Sequence, residues 1–248
     1  MKNSSHSHRL IALLTATFLF GSLLFLRASE SSGDIRVIEV QGSPAVIVVA
    51  DSSTPPIRVN DTIPPGSTVK TPADSRLKLL FANGAILILQ PRSELKLTRF
   101  ASKDYLPMQT TTTARPSELS KSHTDLNLQS GTVLIDVPPL KKESKFQVTT
   151  PLGSAAVRGT RFYVIIRKDR AAVGVAEGLV VATSLLGETQ GLAAGQAIGL
   201  TAKGLTRASA GETSYIRNLD AAFGTTRQLL KSTPDATTKS RAGYQVSE

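Results

Sequence analysis

The chain has 248 residues, no cysteine, no tryptophan, 5% aromatic residues and a formal net charge of +10 at pH 7. The missing cysteines exclude disulfides, thiolate metal ligands, thiol catalysis and a lipid anchor on cysteine. Few aromatic side chains are available to stack on bases, so no nucleic-acid partner is predicted. The basic charge indicates an anionic membrane surface or cell-wall polymer instead.

The first predicted element is an export signal. Lys2 and Arg9 precede an apolar run over residues 10–26, and Arg27 follows it. Positive residues before such a run favour a cytoplasmic N-terminus, which places everything after Arg27 outside the cytoplasm. The run is slightly short for a membrane-spanning helix, and no clear cleavage site follows it. Residues 1–27 are therefore predicted to be a signal peptide or, with slight preference, an uncleaved inner-membrane anchor.

From residue 34 onward the sequence is typical of short β-strands, because β-branched runs alternate with Gly, Pro, Asn and Asp signals. The clearest prediction is a hairpin over residues 76–89, turning at Asn83-Gly84, a dipeptide that tolerates positive φ at both turn positions. Alternation over residues 94–98 predicts a strand with one buried face. Residues 101–124 contain four successive threonines and two prolines, and we expect a long exposed loop there.

Strands are predicted to resume at residue 126, with Glu177-Gly178 as one hairpin turn and two further short strands around Gly195. A helix is predicted over residues 212–231, because apolar residues form one stripe along it. Residues 232–248 are expected to be a disordered tail. The predicted fold class is all-β: a single β-sandwich or roll-like domain of short antiparallel strands over residues 34–201, followed by one short helix.

One segment carries a family resemblance. Residues 149–164 read TTPLGSAAVRGTRFYV, and Glu-Gly follows at residues 177–178. This resembles the FecR domain, which typically shows a strand ending in Thr-Pro, then Val-Arg-Gly-Thr before an aromatic strand, a turn and Glu-Gly. Weaker likenesses extend the resemblance to about residues 35–201. The matching motif residues are Thr150, Pro151, Val157, Arg158, Gly159, Thr160, Phe162, Glu177 and Gly178.

The resemblance implies an extracytoplasmic β-rich sensor or scaffold module that is not an enzyme. Family members in iron-uptake signalling receive a signal from an outer-membrane receptor and control a sigma factor through a cytoplasmic N-terminal domain. Only nine residues precede the apolar run here. We therefore expect this polypeptide to lack that anti-sigma domain and to act from the inner membrane or, if cleaved, in the periplasm.

Few residues are candidates for binding. Gly159 is interpreted as a site of close packing, and Arg158 as a side chain held by a partly buried carboxylate rather than by a ligand. The basic cluster Lys141, Lys142 and Lys145, together with Arg158, is a candidate for contact with an anionic partner. The alternative for the lysines is an ordinary solvated turn.

No catalytic constellation is predicted. His6 and His8 lie in the signal region, and His123 lies in the expected loop without a spaced second ligand or base, so it is expected to be exposed. No cofactor or metal site is predicted either. The carboxylates that remain to be placed are scattered along the chain: Asp125, Asp136, Glu143 and Glu177.

Two functions stay open at this point. The first is a non-enzymatic module of the cell envelope that binds an envelope protein or an anionic or sugar polymer. The second is a polysaccharide- or cell-wall-acting hydrolase, which would require two carboxyl groups about 5–10 Å apart in a cleft.

Overall fold

The strand pattern of the sequence produces two sheets that enclose one apolar core. The computed structural model describes residues 34–42, 46–48, 56–102 and 117–232, and within them the chain forms 15 strands followed by one helix. The predicted class, mostly β with one C-terminal helix, is confirmed. The strands are β1 (Ile35–Gln41), β2 (Val46–Val48), β3 (Thr68–Thr71), β4 (Arg76–Phe81), β5 (Ile86–Leu89), β6 (Ser93–Ser102), β7 (Ser122–Asp136), β8 (Lys145–Thr150), β9 (Gly153–Val157), β10 (Arg161–Arg167), β11 (Arg170–Glu177), β12 (Leu179–Ser184), β13 (Thr189–Ala193), β14 (Ala197–Thr201) and β15 (Gly204–Arg207), and the helix is α1 (Ala210–Ser232).

Two predictions, one for each end of the chain, concern residues that the structure does not describe. They are the predicted export segment at residues 1–27 and the predicted tail from residue 233 onward. Within the described ranges, no helix is both long enough and apolar enough to cross a membrane.

The strand pairing defines the two sheets. Sheet A has the order β2-β3-β6-β7-β8-β9-β12-β13. Sheet B has the order β1-β4-β5-β7-β10-β11-β14-β15. Side chains alternate between the two faces of each strand, so one face of each sheet turns toward the shared core.

Strand β7 belongs to both sheets. Residues 122–130 pair with β6, and residues 123–127 pair with β8, all in sheet A. Residues 131–136 pair with β10 and residues 133–136 with β5, in sheet B. Because the chain leaves sheet A along β7 and then returns to it, β8 runs parallel to β7, whereas only antiparallel strands were expected.

The core between the sheets is formed by alternate residues of nearly every strand. In β6, Leu95 and Leu97 are fully buried while Lys96 is exposed, which confirms the predicted alternation. Phe146 and Phe162 meet edge to face, with ring centroids 6.5 Å apart, and join β8 to β10 across the core.

Helix α1 covers part of the outer face of sheet B. Its Leu219 and Phe223 are buried in a second apolar cluster together with Tyr163 and Ile165 of β10. The helix begins at Ala210, two residues before the prediction, because Ser209 caps it. The Ser209 hydroxyl accepts the Glu212 amide hydrogen at 3.2 Å, and the Glu212 carboxylate accepts the Ser209 amide hydrogen at 2.6 Å.

The predicted hairpin over residues 76–89 forms, but its turn differs from the prediction. Strand β4 pairs with β5 from Leu77↔Leu89 to Leu80↔Ile86. Only Gly84 has positive φ, at 86°, whereas Asn83 accepts the Ala85 amide hydrogen with its side-chain oxygen at 3.1 Å. The turn is therefore longer than the two-residue type that Asn-Gly favours.

Strands also enter the stretch expected to be a loop. Strand β6 continues to Ser102 and β7 starts at Ser122, while residues 103–116 lie outside the described ranges. The two strands around Gly195 are present as β13 and β14, and β15 continues the sheet to Arg207, beyond the predicted end at residue 201.

Candidate functional site

The family motif lies where the chain crosses between the sheets. Residues 158–160 carry the chain from β9 in sheet A to β10 in sheet B, and Gly178 carries it back from β11 to β12. The prediction that Glu177-Gly178 is a hairpin turn is therefore wrong. Strand β11 pairs with β10 and β14, whereas β12 pairs with β9 and β13, so the chain changes sheet at Gly178.

Thr160 connects the crossing at residues 158–160 to the crossing at Gly178 through hydrogen bonds. Its buried hydroxyl donates a hydrogen bond to the Leu179 carbonyl at 2.8 Å and accepts the Leu179 amide hydrogen at 3.3 Å. Its own carbonyl accepts the Val137 amide hydrogen at 2.9 Å, beyond the end of β7. The Gly-Thr half of the motif thus ties β12 and β7 to the start of β10.

Two glycines permit this close approach. Gly178 has φ of +88°, and a Cβ there would lie 2.5 Å from the Gly159 carbonyl oxygen. Gly159 has φ of +80°, and a Cβ there would lie 3.0 Å from Pro139 Cα. Both positions combine a backbone conformation that L side chains rarely adopt with backbone neighbours that cannot rotate away.

The remaining motif residues complete the β8–β9 turn and the core. The Thr150 hydroxyl donates to the Gly153 carbonyl at 2.9 Å and accepts the Leu152 amide hydrogen at 3.2 Å, while Pro151 is exposed in the turn. Val157 and Phe162 are buried between the sheets. The motif therefore lies at the turn and crossings that set the geometry of the sandwich.

The buried arginine of the motif is Arg161 rather than Arg158. Arg158 is exposed, whereas Arg161 is 7% exposed and its Nη2 lies 3.6 Å from both Asp136 Oδ2 and Glu177 Oε2. The Arg161 guanidinium also lies over the ring of Phe223, 5.9 Å from its centroid. Among the described residues, the arginine held by carboxylates is therefore Arg161, and no such contact is found for Arg158. Side chains alternate between the two faces of a strand, and Phe162 points into the core. Arg161 therefore points to the outer face of sheet B, which α1 covers, and this alternation can be read from the sequence.

The four scattered carboxylates lie in three places. Asp136 and Glu177 flank Arg161, Asp125 lies 3.1 Å from His123 Nε2, and Glu143 pairs with Lys121. His123 is on strand β7 with its side chain 27% exposed, not in an exposed loop as expected. Among the described residues, no group of three or more His, Cys, Asp or Glu side chains could hold a metal ion.

The structure divides the predicted lysine cluster. Lys141 is engaged in a network around Glu118, whose carboxylate is 2% exposed and accepts hydrogen bonds from the Lys141 amide and from the hydroxyls of Ser122 and Ser144. The Lys141 ammonium donates to the Leu119 carbonyl. Glu118 therefore holds the irregular segment just before β7 against the connection between β7 and β8, a role that its position in the expected loop did not indicate.

Lys145 instead lies beside Arg158 on sheet A, while Lys142 is exposed in the turn before β8. The register pairs Phe146 with Val157, and both are buried. Lys145 immediately precedes Phe146, and Arg158 immediately follows Val157 on the antiparallel neighbour, and both are exposed. The two strands thus bring two of the four predicted binding residues together at one end of the sheet.

The outer surface of sheet A beside these cations carries exposed apolar side chains. Val180 and Ala182 of β12 point into the core, while Leu179 and Val181 are 56% and 41% exposed. Val181 is flanked by Ala156 of β9 and by Gly191 of β13, so small residues surround it. We refer to this surface as the open face; its residues are Lys145, Gln147, Thr149, Ser154, Ala156, Arg158, Leu179, Val181, Thr183 and Gly191.

The edge strand next to the open face is less blocked than edge strand β15 of sheet B, although Gln196 Oε1 accepts its Ala193 amide hydrogen at 2.8 Å. Strand β13, with the sequence TQGLA, contains no charged residue and no proline, and the turn before it exposes Leu185 and Leu186. Edge strand β15 is blocked by side chains. Glu188 Oε2 accepts the Leu205 amide hydrogen at 2.7 Å, and Arg170 Nη2 donates to the Arg207 carbonyl at 2.7 Å. Proteins commonly block sheet edges in this way, so residues 189–192 of β13 are the more accessible part of these two edges.

Comparisons with known proteins found two similar solved structures and one family match. Two crystal structures of a candidate anti-sigma factor from Parabacteroides distasonis are similar over 59% of this chain, with identities of 15% and 14% and a TM-score of 0.42 in both cases. The similar region is 62% of the length of those chains, which is less than two thirds. No curated protein matches the chain. Residues 67–181, which contain the Thr-Pro turn, the Val-Arg-Gly-Thr crossing and the return at Gly178, match the family described as FecR protein.

Proposed function

We propose that this chain is a non-enzymatic regulatory module that acts outside the cytoplasm and binds a protein partner through the open face and strand β13. The match of residues 67–181 to the FecR protein family is the reason for assigning a regulatory role. Lys2 and Arg9 before the apolar run support the extracytoplasmic location. The observation that carries the binding function is the pair of exposed apolar residues, Leu179 and Val181, beside the less blocked sheet edge at β13.

The open face has the properties of an interaction surface. Apolar side chains on a rigid sheet gain roughly 25 cal/mol for each Å² that a partner removes from water. An extended segment added beside β13 would also satisfy the outward backbone groups of that strand, with alternate side chains lying over Val181 and its neighbours. Lys145 and Arg158 at one end would favour acidic residues in the partner and orient it.

A hydrolase is disfavoured by the arrangement of the acidic residues. Asp136 and Glu177 lie within roughly 7 Å of each other, because both are 3.6 Å from one nitrogen of Arg161, and this spacing alone would suit a glycosidase. However, the guanidinium stands between the two carboxylates, and Asp136 is only 4% exposed. A guanidinium pairs with ionised carboxylates, whereas glycoside hydrolysis needs one protonated carboxyl group that reaches the substrate.

Site-specific photocrosslinking tests the binding function. A photoreactive amino acid at Gln190, an exposed residue of β13, is expected to give one adduct of defined mass in cells that produce the full chain. Val181→Lys should abolish the adduct, because it places a charge at the centre of the open face. Val59→Lys changes another exposed valine, 50% exposed and outside sheet A, and should leave the adduct unchanged. An adduct that survives Val181→Lys, or that Val59→Lys removes equally, would contradict the proposal.

The location is tested separately by cell fractionation with intact-mass measurement. Retention of residues 1–27 in the inner membrane, or a processed product in the periplasm, would each agree with a module outside the cytoplasm. An unprocessed chain in the soluble cytoplasmic fraction would contradict it.

A further inference from the structure

We propose that a cleft beside helix α1 binds carboxylate side chains of an acidic peptide segment, independently of the open face. The cleft has a volume of about 640 Å³ and lies between the first turns of α1 and the end of β15. Its walls include Arg207 from β15 and Arg217 and Ile216 from α1. This volume lies within the range of known ligand sites, which is about 300–1,000 Å³.

Among the described residues that line the cleft, two are arginines and none is acidic. Within the described part of the chain, neither Arg207 nor Arg217 is paired with a carboxylate. Along the helix, Glu212 lies five residues before Arg217 and Asp220 lies three residues after it, and both oxygens of Glu212 accept from Arg170, at 2.8 and 3.1 Å. Two guanidinium groups line one cleft, and guanidinium groups bind carboxylates through two parallel hydrogen bonds.

Both arginines lie on elements that hydrogen bonds hold in place. Arg207 is paired with Ile198 of β14. The start of α1 is held by the Tyr163 hydroxyl, which donates to the Glu212 carbonyl at 2.5 Å. Burial, with the nearby Glu212 carboxylate, raises the pKa of Tyr163 above its usual value, so the hydroxyl remains a donor. Little backbone ordering would therefore be needed when a ligand binds.

The hydrogen-bonding groups of the cleft select for carboxylates. The hydroxyls of Thr213 and Ser214 already donate to the carbonyls of Ser209 and Gly211, at 3.0 and 2.8 Å. The charged donors left for a ligand are the guanidinium groups, and the ligand must supply acceptors. A compact phosphate is less suitable, because phosphate sites use free amides at a helix start and two of those amides, of Ser209 and Glu212, already have partners. Ile216 offers apolar contact for the methylene groups of glutamate side chains.

The test uses the purified full-length protein and a fluorescent hexaglutamate peptide, with binding followed by anisotropy. Arg207→Gln combined with Arg217→Gln should weaken binding at least tenfold. The matched control is Lys142→Gln combined with Lys203→Gln, which removes the same charge from two exposed sites and should change binding less than twofold. Equal losses in the two double variants would show nonspecific attraction to a basic protein and would overturn the proposal.

Two further measurements identify the ligand class. Arg207→Lys combined with Arg217→Lys keeps the positive charge but removes the paired hydrogen bonds that a guanidinium group makes. This double variant should still fold and should bind the peptide severalfold more weakly. Wild-type affinity in this variant would refute arginine-specific recognition. Inorganic phosphate and vesicles of anionic phospholipid should compete only weakly with the peptide. Competition by either at the same anion concentration as the peptide carboxylates would assign the cleft to a phosphate group instead.

Discussion

Replacing Gly178 by alanine tests whether the crossing between the sheets needs the close contact described here. The residue has φ of +88°, which for alanine costs roughly 1–2 kcal/mol. The added Cβ would lie 2.5 Å from the Gly159 carbonyl oxygen and 3.0 Å from Thr160 Cα, and both are backbone atoms. Relieving such an overlap within a packed region costs about 1–3 kcal/mol more. We expect Gly178→Ala to lower the free energy of unfolding by about 2–5 kcal/mol.

Gly187→Ala is the matched control, because Gly187 has φ of +82° but no atom within 4 Å of the position that a Cβ would take. It should lose only the conformational part, about 1–2 kcal/mol. The assay is urea unfolding followed by circular dichroism, and in thermal unfolding each kcal/mol corresponds to roughly 2–4 °C for a domain of this size. Equal losses in the two variants would refute the conclusion that contact between the two crossings contributes to stability.

Two further perturbations concern buried carboxylates. Burial alone would raise the pKa of Glu212, but hydrogen bonds from Arg170 and Ser209 outweigh burial and lower that pKa. The ionised carboxylate therefore stabilises the fold at any pH above the ordinary glutamate pKa of about 4.3. This stabilisation is lost as the pH falls through the lower pKa of the folded state. Glu212→Gln should therefore flatten the acid limb of unfolding free energy against pH; an unchanged limb would contradict the assignment. Glu118→Ala removes the acceptor of hydrogen bonds from two hydroxyls and one amide, and it should lower the free energy of unfolding in urea by about 3–5 kcal/mol. Glu143→Gln is the control, because the Glu143 side chain is 63% exposed, and it should lower that free energy by less than about 1 kcal/mol. Equal losses in the two variants would contradict a buried network around Glu118.

Local patterns in the sequence predicted local structure well. The alternation in β6, the hairpin over residues 76–89 and the apolar stripe of α1 each depend on neighbours within a few residues. The start of α1 could also have been found, since Ser209 followed by Glu212 has the spacing of a capping box. The family motif was recognisable for the same reason, because its residues lie close together in the chain.

Long-range features could not be predicted in this way. A period of two is the same whether a strand remains in one sheet or passes into the next, so the two halves of β7 look alike in sequence. Likewise, Glu177-Gly178 fits a hairpin turn locally, and only the partners of β11 and β12 show that the chain changes sheet there. Arg158 and Arg161 differ in burial because of what covers each face, which depends on helix α1, far along the chain.

The membership of β7 in both sheets has a consequence for how the domain assembles. In each sheet, β7 joins the strands on its two sides, because β6 and β8 in sheet A and β5 and β10 in sheet B all pair with residues 122–136. Strands β1 to β6 therefore have no complete sheet to join until β7 has been synthesised, and contacts between distant segments slow folding. The slowest-exchanging amide hydrogens of both sheets should then open together in a single global unfolding event, which leaves the chain without a stable half-folded intermediate.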